Sequence, residues 1–464
     1  MDKIKTYFSC WGLHKGPLAQ PSPDLYLEQR NLNRFDAIRS AFKSIINPLR
    51  YLLGTRAGEA EDLVTLICSL IHNTGLSSYI TLHKVHWAAN LSTFCFVTTC
   101  ITQVVTIFMA KDDPEKLFEC FSVLAFCGMG VLKLISLRKS HQNWRKILTE
   151  ISKLENSQLS KNSMSDADCQ SDNNEECVNF SDYIKNYTYK FRHTTTILTR
   201  IYSFTAVVFI VSPFVEHNLC KMRGLECQGY PHILPGWSPL DAFSDFGYVV
   251  TVLCELLASV YCVCVHIAFD LTAIGIMIFV CGQYSCLRDF SSRIGGSGKQ
   301  CKLSKKRDKR AHISIKRCHQ INMVLVSSIT ELDKLLSNII GVYFFLATLT
   351  LCSVAVRLKS VDVSIMQLVS LIQYMCGTLT QLFLFCRYGD AVLHESSLGM
   401  GQGPFAAAYW SLSPRVRREL TMLGAGMMTS RHLRAGPFNH LDLPSFILIV
   451  RTAYSYYAVL GKKE

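Results

Sequence analysis

Three short motifs bring together residue types that do chemistry. Cys262-Val-Cys264-Val-His266 offers thiols and an imidazole, the usual ligands of zinc. A helix spreads these positions around its circumference, so a structural role is expected. Gly295-Gly-Ser-Gly-Lys299 has the composition of a phosphate loop but lacks its spacing and the Ser or Thr after the lysine. His394-Glu395 lacks the second histidine of a zinc-protease helix. The expectation is therefore no catalytic residue, no metal site, no cofactor and no enzymatic activity.

A second group is defined by its surroundings. Lys133, Glu255, His266, Asp270 and Arg451 lie within strongly apolar stretches. An ionisable group is costly in lipid, so each is expected to face other helices, find a partner or sit near a boundary. Lys133, His266 and Asp270 fit mutual pairing. Glu255 sits where it either touches a ligand or holds a neighbouring segment.

The elements that must position these residues are apolar helices. The chain has 464 residues, 49% hydrophobic and only 18% charged, against about 25% charged in soluble proteins. A membrane helix needs roughly 20 mostly apolar residues. Seven stretches qualify: 88–110, 117–137, 194–215, 243–280, 339–356, 363–385 and 443–460. The fold class is an all-α membrane protein with seven transmembrane helices. Residues 63–82 are partly apolar but interrupted by His72, Asn73 and Gly75, and read as a cytoplasmic or interfacial piece. The fourth and fifth spans run on into polar helical sequence that would project into the cytoplasm. Residues 156–182, rich in Ser, Asn and Asp, read as disordered, and 295–310 as a flexible basic loop. No internal repeat of the transporter kind is present. The chain divides into an N-terminal region, 1–87; six helices with their loops, 88–386; an anchor segment, 387–442; and the last helix with its tail, 443–464.

Orientation follows from Lys and Arg near the spans. Arg39, Lys43, Arg50, Arg56 and Lys84 precede span one. Arg138, Lys139, Arg145 and Lys146 follow span two, and Arg288, Arg293 and the run Lys305–Arg310 follow span four. Arg387, Arg415, Arg417 and Arg418 follow span six. The alternate loops are poor in positive charge. The N-terminus is therefore expected in the cytoplasm and the C-terminus outside, opposite to a G-protein-coupled receptor. The same loops account for the net charge of +13 without nucleic acid. The sequons at Asn179 and Asn186 fall in a loop that the charges place inside. Residues 1–17 carry Lys3 and Lys5 with no apolar run behind them, so no cleavable signal peptide is expected.

Of the 20 cysteines most lie inside apolar stretches, where they act as small hydrophobes. Cys220 and Cys227 share one short outer loop and are the candidate disulfide pair.

The seventh span carries a polar stripe. At helical spacing Leu448, Thr452, Ser455, Val459 and Lys462 share a face, bordered by Arg451. Small and polar groups, then one valine, then a lysine suit a pore lining with a hydrophobic constriction. Close helix packing also favours small residues, and the spacing leaves both readings open.

The last quarter of the chain resembles the insect odorant receptor family. The resemblance rests on Tyr388-Gly-Asp, Tyr409-Trp-Ser-Leu-Ser-Pro414-Arg, Met427-Met-Thr-Ser-Arg431, Ala435-Gly-Pro-Phe438 and Arg451-Thr-Ala-Tyr-Ser-Tyr-Tyr457. Leu234-Pro-Gly-Trp237-Ser-Pro-Leu-Asp241 and His319-Gln-Ile-Asn322 extend it more loosely. The resemblance implies the ligand-sensing subunit of a non-selective cation channel. Such a subunit assembles as a tetramer with a shared olfactory co-receptor in the plasma membrane of sensory neurons. It implies a small volatile organic ligand held in the outer half, between spans two to six, with Val459 at the gate and Lys462 just outside it. Inner helix ends and residues 415–428 would form a cytoplasmic anchor. Topology then selects outer-half residues for the pocket: Phe121, Leu124, Phe204, Val208, Ser212, Tyr248, Val252, Ser370 and Tyr374. A gustatory receptor channel, whose tail motif differs, and a G-protein-coupled receptor of opposite topology are the alternatives.

Overall fold

A computed structural model describes residues 63–73, 87–109, 114–168, 180–223, 230–236, 245–296, 303–357, 365–397, 400–437 and 439–460. The described residues are almost wholly helical. In chain order the helices are α1 (Leu63–Asn73), α2 (Trp87–Met109), α3 (Pro114–Lys139), α4 (His141–Asp168), α5 (Phe180–Met222), α6 (Asp245–Ser292), α7 (Lys305–Arg357), α8 (Ile365–Ser397), α9 (Gln402–Ala406), α10 (Pro414–Met427) and α11 (Leu443–Leu460). A two-residue antiparallel ladder, β1 (Arg434–Ala435) with β2 (Asn439–His440), stands between α10 and α11.

Helices α2, α3, α5, α6, α7 and α8 are each long and apolar enough to cross a membrane. Together with α11 they are the seven spans of the sequence reading. Helix α6 is the hub: the most apolar part of it is buried throughout. A helix apolar on every side belongs in a core, and residues Ile267, Ala268, Phe269, Leu271, Ala273 and Ile274 are each about fully covered. The outer helices instead leave one apolar face free. On α2 that face is Phe94, Ile101 and Phe108, all well exposed, as lipid contact requires.

Two expectations change, and one segment gains a position. The segment 63–82 begins with α1, whose Leu63, Ile67 and Ile71 are buried. It docks because Gly275 of α6 has no side chain: a Cβ there would come within 2.8 Å of Ile67 and Phe191. The polar stretch from 156 does not begin as disorder, because α4 continues to Asp168. Its polar residues have partners: Gln158 and Gln283 exchange amide bonds of 2.8 and 2.9 Å, and Tyr187 donates to Glu155 at 2.6 Å. Residues 169–179 lie outside the described residues. Finally, α7 already starts at Lys305, so the basic run belongs to a helix.

Helices α5, α6 and α7 extend well beyond a bilayer's thickness, at 43, 48 and 53 residues. On these extensions sits the anchor. Helix α10 starts after Ser413 with Pro414 at its first turn, the position where a missing N–H costs nothing. The Ser413 N–H donates to Asp308 of α7 at 2.9 Å. The turn before it is held by Ser411, whose hydroxyl donates to the Gly295 carbonyl at 2.9 Å. Helix α8 runs straight through 386/387 to Ser397, so the anchor segment begins inside a helix.

Candidate ligand cavity and pore helix

A cavity of about 510 Å³ lies among α3, α5, α6, α7, α8 and the loop 230–236. That volume suits a small organic molecule. Each helix contributes one stripe at helical spacing. Helix α5 gives Tyr202, Thr205, Phe209, Ser212 and Glu216, and α8 gives Gln367, Ser370, Tyr374, Thr378 and Gln381. Helix α3 adds Glu119, Ser122 and Phe126, and α6 adds Ser259, Cys262 and Val263.

Of the nine pocket residues taken from topology, Ser212, Ser370 and Tyr374 line this cavity. They are also joined to the walls: Ser370 Oγ donates to Ser212 Oγ at 3.3 Å, and Tyr374 Oη to the Ser122 carbonyl at 3.2 Å. Phe121, Leu124, Phe204 and Val208 are off the lining. They neighbour residues that do line it, one position out of register on their helices. Phe204 is 57% exposed and points outward. Tyr248 and Val252 stand behind the wall. Tyr248 donates to the Pro231 carbonyl at 2.8 Å and packs on Tyr230 and His232, so it supports the loop that closes the cavity.

That loop is also held by Glu255. Its carboxylate accepts the Ile233 and Leu234 N–H groups at 2.9 and 3.4 Å and faces His232 Nδ1 at 3.2 Å. Of the two roles open to Glu255 in the sequence, the structure shows it holding a neighbour.

Below the cavity lies the most charged part of the helical core. Lys133 Nζ donates to Asp270 Oδ1 at 2.6 Å, and both side chains are 0% exposed. Lys133 Nζ also meets His266 Nδ1 at 2.9 Å, while the His266 ring stacks on Phe126. The second oxygen, Asp270 Oδ2, accepts from Tyr202 Oη at 2.7 Å and Gln381 Nε2 at 2.9 Å. A buried ion pair survives only when its remaining lone pairs are satisfied, and here two neutral donors do that. Tyr202 and Gln381 are therefore both cavity floor and ion-pair partners. Neither was among the residues drawn from the sequence. The signal was present as a stripe of small and polar residues on α5 and α8.

Helix α11 packs through Ile449 and Ala453, which are buried. The Cys352 thiol of α7 lies 4.0 Å from the Ala453 carbonyl, and Phe383 of α8 meets Phe446 edge-on at 5.6 Å. Leu448, Arg451 and Ser455 are exposed on the other side and Thr452 is partly so. The hydroxyls of Thr452 and Ser455 bond back to the Leu448 and Arg451 carbonyls, at 2.7 and 2.9 Å. Val459 falls on this helix, but its side chain and all of Lys462 lie outside the described residues. So does Cys227, the second cysteine of the candidate disulfide.

The sequence pattern of the 7tm Odorant receptor family matches residues 113–454. The chain belongs to that family. Among relatives, odorant receptor 13a of Drosophila melanogaster is 24% identical over 58% of this chain. Odorant receptor Or2 of Anopheles gambiae is 22% identical over 55%. The chain spans 65% of the length of each of these two. The fold is also that of the insect olfactory receptor OR5 from Machilis hrabei, solved in complex with eugenol. That match has a TM-score of 0.67 at 12% identity and covers 86% of this chain and 98% of that chain. A receptor family of this kind is not a family of enzymes.

Proposed function

We propose that this chain is the odorant-sensing subunit of a ligand-gated, non-selective cation channel. In this reading it forms a tetramer with the shared olfactory co-receptor, in the plasma membrane of sensory neurons. The observation that carries the proposal is that α7 and α8 serve two sites. They enclose the cavity, through Val354 and Arg357 and through the stripe from Ser370 to Gln381. They also hold α11, through Cys352 and Phe383.

The exposed side of α11 supports its role as pore lining. A lone Arg451 facing lipid would be costly, whereas facing a water-filled axis it is solvated. Four copies of α11 around an axis would bring Ser455 and Thr452 to the water and Val459 to a hydrophobic constriction, which gates by dewetting. Ligand binding opens such a gate only if the cavity binds the ligand more tightly in the open arrangement. A shift of α8 away from the cavity is the natural carrier, because the same helix continues to α11's contacts.

The N-terminus is placed in the cytoplasm and the C-terminus outside, on the strength of the basic loops. The testing experiment is co-expression with a co-receptor subunit and recording of odorant-evoked current. Val459→Ser should raise basal current or change ion selectivity. Unchanged basal current and selectivity in a variant that reaches the surface would overturn the pore assignment.

A further inference from the structure

We infer that the deep end of the cavity selects for ligands that donate a hydrogen bond, and that a small neutral alcohol is the class it takes. This rests on the proposed function, since it specifies the ligand of the same cavity. The argument comes from where the hydroxyl protons of the walls already go. Thr205 Oγ1 donates to the Ile201 carbonyl at 2.8 Å and accepts from Gln373 Nε2 at 2.9 Å. Ser259 Oγ donates to the Glu255 carbonyl at 2.8 Å, and Thr378 Oγ1 to the Tyr374 carbonyl at 3.0 Å. Tyr374 Oη donates to the Ser122 carbonyl at 3.2 Å. Tyr202 Oη is committed to Asp270 Oδ2 at 2.7 Å. Each of these groups has therefore committed its proton to the protein, and toward a ligand it can only accept.

The floor follows the same rule. Gln381 gives an amide proton to Asp270 Oδ2 at 2.9 Å. Its Oε1 has no protein partner among the described residues. The amide cannot flip to present nitrogen instead, because its N–H is needed by a carboxylate that is itself fully buried against Lys133. Asp270 thus fixes Tyr202 and Gln381 as acceptors facing the cavity and acts as a positioning residue behind them. One Gln381 N–H remains to meet a ligand oxygen. A hydroxyl, which donates once and accepts at the same atom, matches both groups. An ether, ester or ketone could accept from that N–H but has no proton to give, so it would leave the Tyr202 and Gln381 oxygens facing its lone pairs. Charged groups are confined to the other end, where Glu119, Glu216 and Arg357 stand, so the floor itself has no charge exposed to pair with an ionised ligand.

The test uses the full chain co-expressed with a co-receptor subunit. Concentration–response curves are recorded for hexanol, octanol and benzyl alcohol, and for the methyl ether of each. The alcohols should act at half-maximal concentrations about tenfold or more below their ethers, because a site that hydrogen-bonds a hydroxyl discriminates against analogues lacking it. Tyr202→Phe and Gln381→Met should each bring that ratio toward one. The comparison on the unaltered receptor stands even if a variant fails to reach the membrane. Ethers equal to or better than alcohols would overturn the inference and leave the receptor reading intact. Silence toward every probe, from receptor present at the cell surface, would also overturn it. Whether the chain forms a channel is then read separately, from the basal current of Val459→Ser.

Discussion

Lys133 and Asp270 set the terms for the residue scale. Both are wholly buried at 2.6 Å separation, between helices α3 and α6 that are far apart in sequence. Removing one partner of a buried pair leaves an uncompensated charge and typically costs about 3–5 kcal/mol. Lys133→Met and Asp270→Asn should each lower the melting temperature of the solubilised receptor and its surface abundance. The double variant should recover much of the loss, because two neutral groups of similar shape need no mutual compensation. Additive losses in a thermal-shift series would mean that the pair is not coupled. The sequence supplied the members of this network, since ionisable residues in apolar spans stand out, but not its outcome. Tyr202 and Gln381 are ordinary polar residues until the fold turns them onto Asp270. Phe204 and Val208 illustrate the converse. An apolar residue on a membrane helix suits lipid and pocket equally, so composition does not choose between the faces, and a one-position change in register does.

At the scale of elements, the β1–β2 ladder decides how α11 is mounted. It is pinned on both sides of the turn. Arg434 donates to Asp333 of α7 through its backbone N–H at 2.7 Å and its guanidinium at 2.9 and 2.7 Å. Gly436 adopts a positive φ of 75° and donates its N–H to the Ser337 carbonyl at 2.8 Å. That approach needs a second glycine, because a Cβ on Gly341 would stand 2.7 Å from the Gly436 Cα. On α8, a Cβ on Gly389 would run into the Leu441 carbonyl, two residues before α11. Gly341→Ala and Gly389→Ala are therefore expected to push the ladder off its seat at a cost of about 1–3 kcal/mol. The readout is evoked current: it should fall or lose its dependence on ligand while surface abundance stays largely intact. Normal responses from both variants would show that the mounting is slack.

The anchor has its own test at this scale. Hydrogen bonding from Ser413, through its hydroxyl and its backbone N–H, holds the half-buried Asp308 carboxyl below the usual carboxylate range. A folded value below the unfolded one gives a contribution present above about pH 4, lost as pH falls through the depressed value. Amide exchange at the start of α10, corrected for intrinsic rate, should speed up on acidification and match Asp308→Ala at neutral pH. Exchange that is insensitive to both changes would remove Asp308 from the account. The helix start was readable from Ser413 and Pro414. Its tie to Asp308, over a hundred positions earlier, was not, because nothing local marks a long-range acceptor.

For the whole molecule the open physical question is orientation, and one conflict in the sequence bears on it. Basic residues put the segment containing Asn179 and Asn186 inside, while both carry glycosylation sequons. Asn179 lies outside the described residues. Asn186 is part of α5, in the helical extension beyond the apolar stretch, exposed but in regular helix and not in a loop. A glycosylation acceptor belongs on a surface loop outside the cell, so the helix removes much of the force of that sequon. The long extensions of α5, α6 and α7 lie on the same side as the basic runs, and the seven spans then carry the chain end to the opposite side. An epitope placed before Met1 should stain only after the cells are permeabilised, and one placed after Glu464 should stain on intact cells. Digestion with a glycosidase should leave the mobility of the receptor unchanged, and Asn186→Gln should be silent. Glycan on Asn179 or Asn186 would invert every loop at once. The end of the cavity lined by Glu216 and Arg357 would then face the cytoplasm, and an odorant reaching it from that side would first have to cross the membrane.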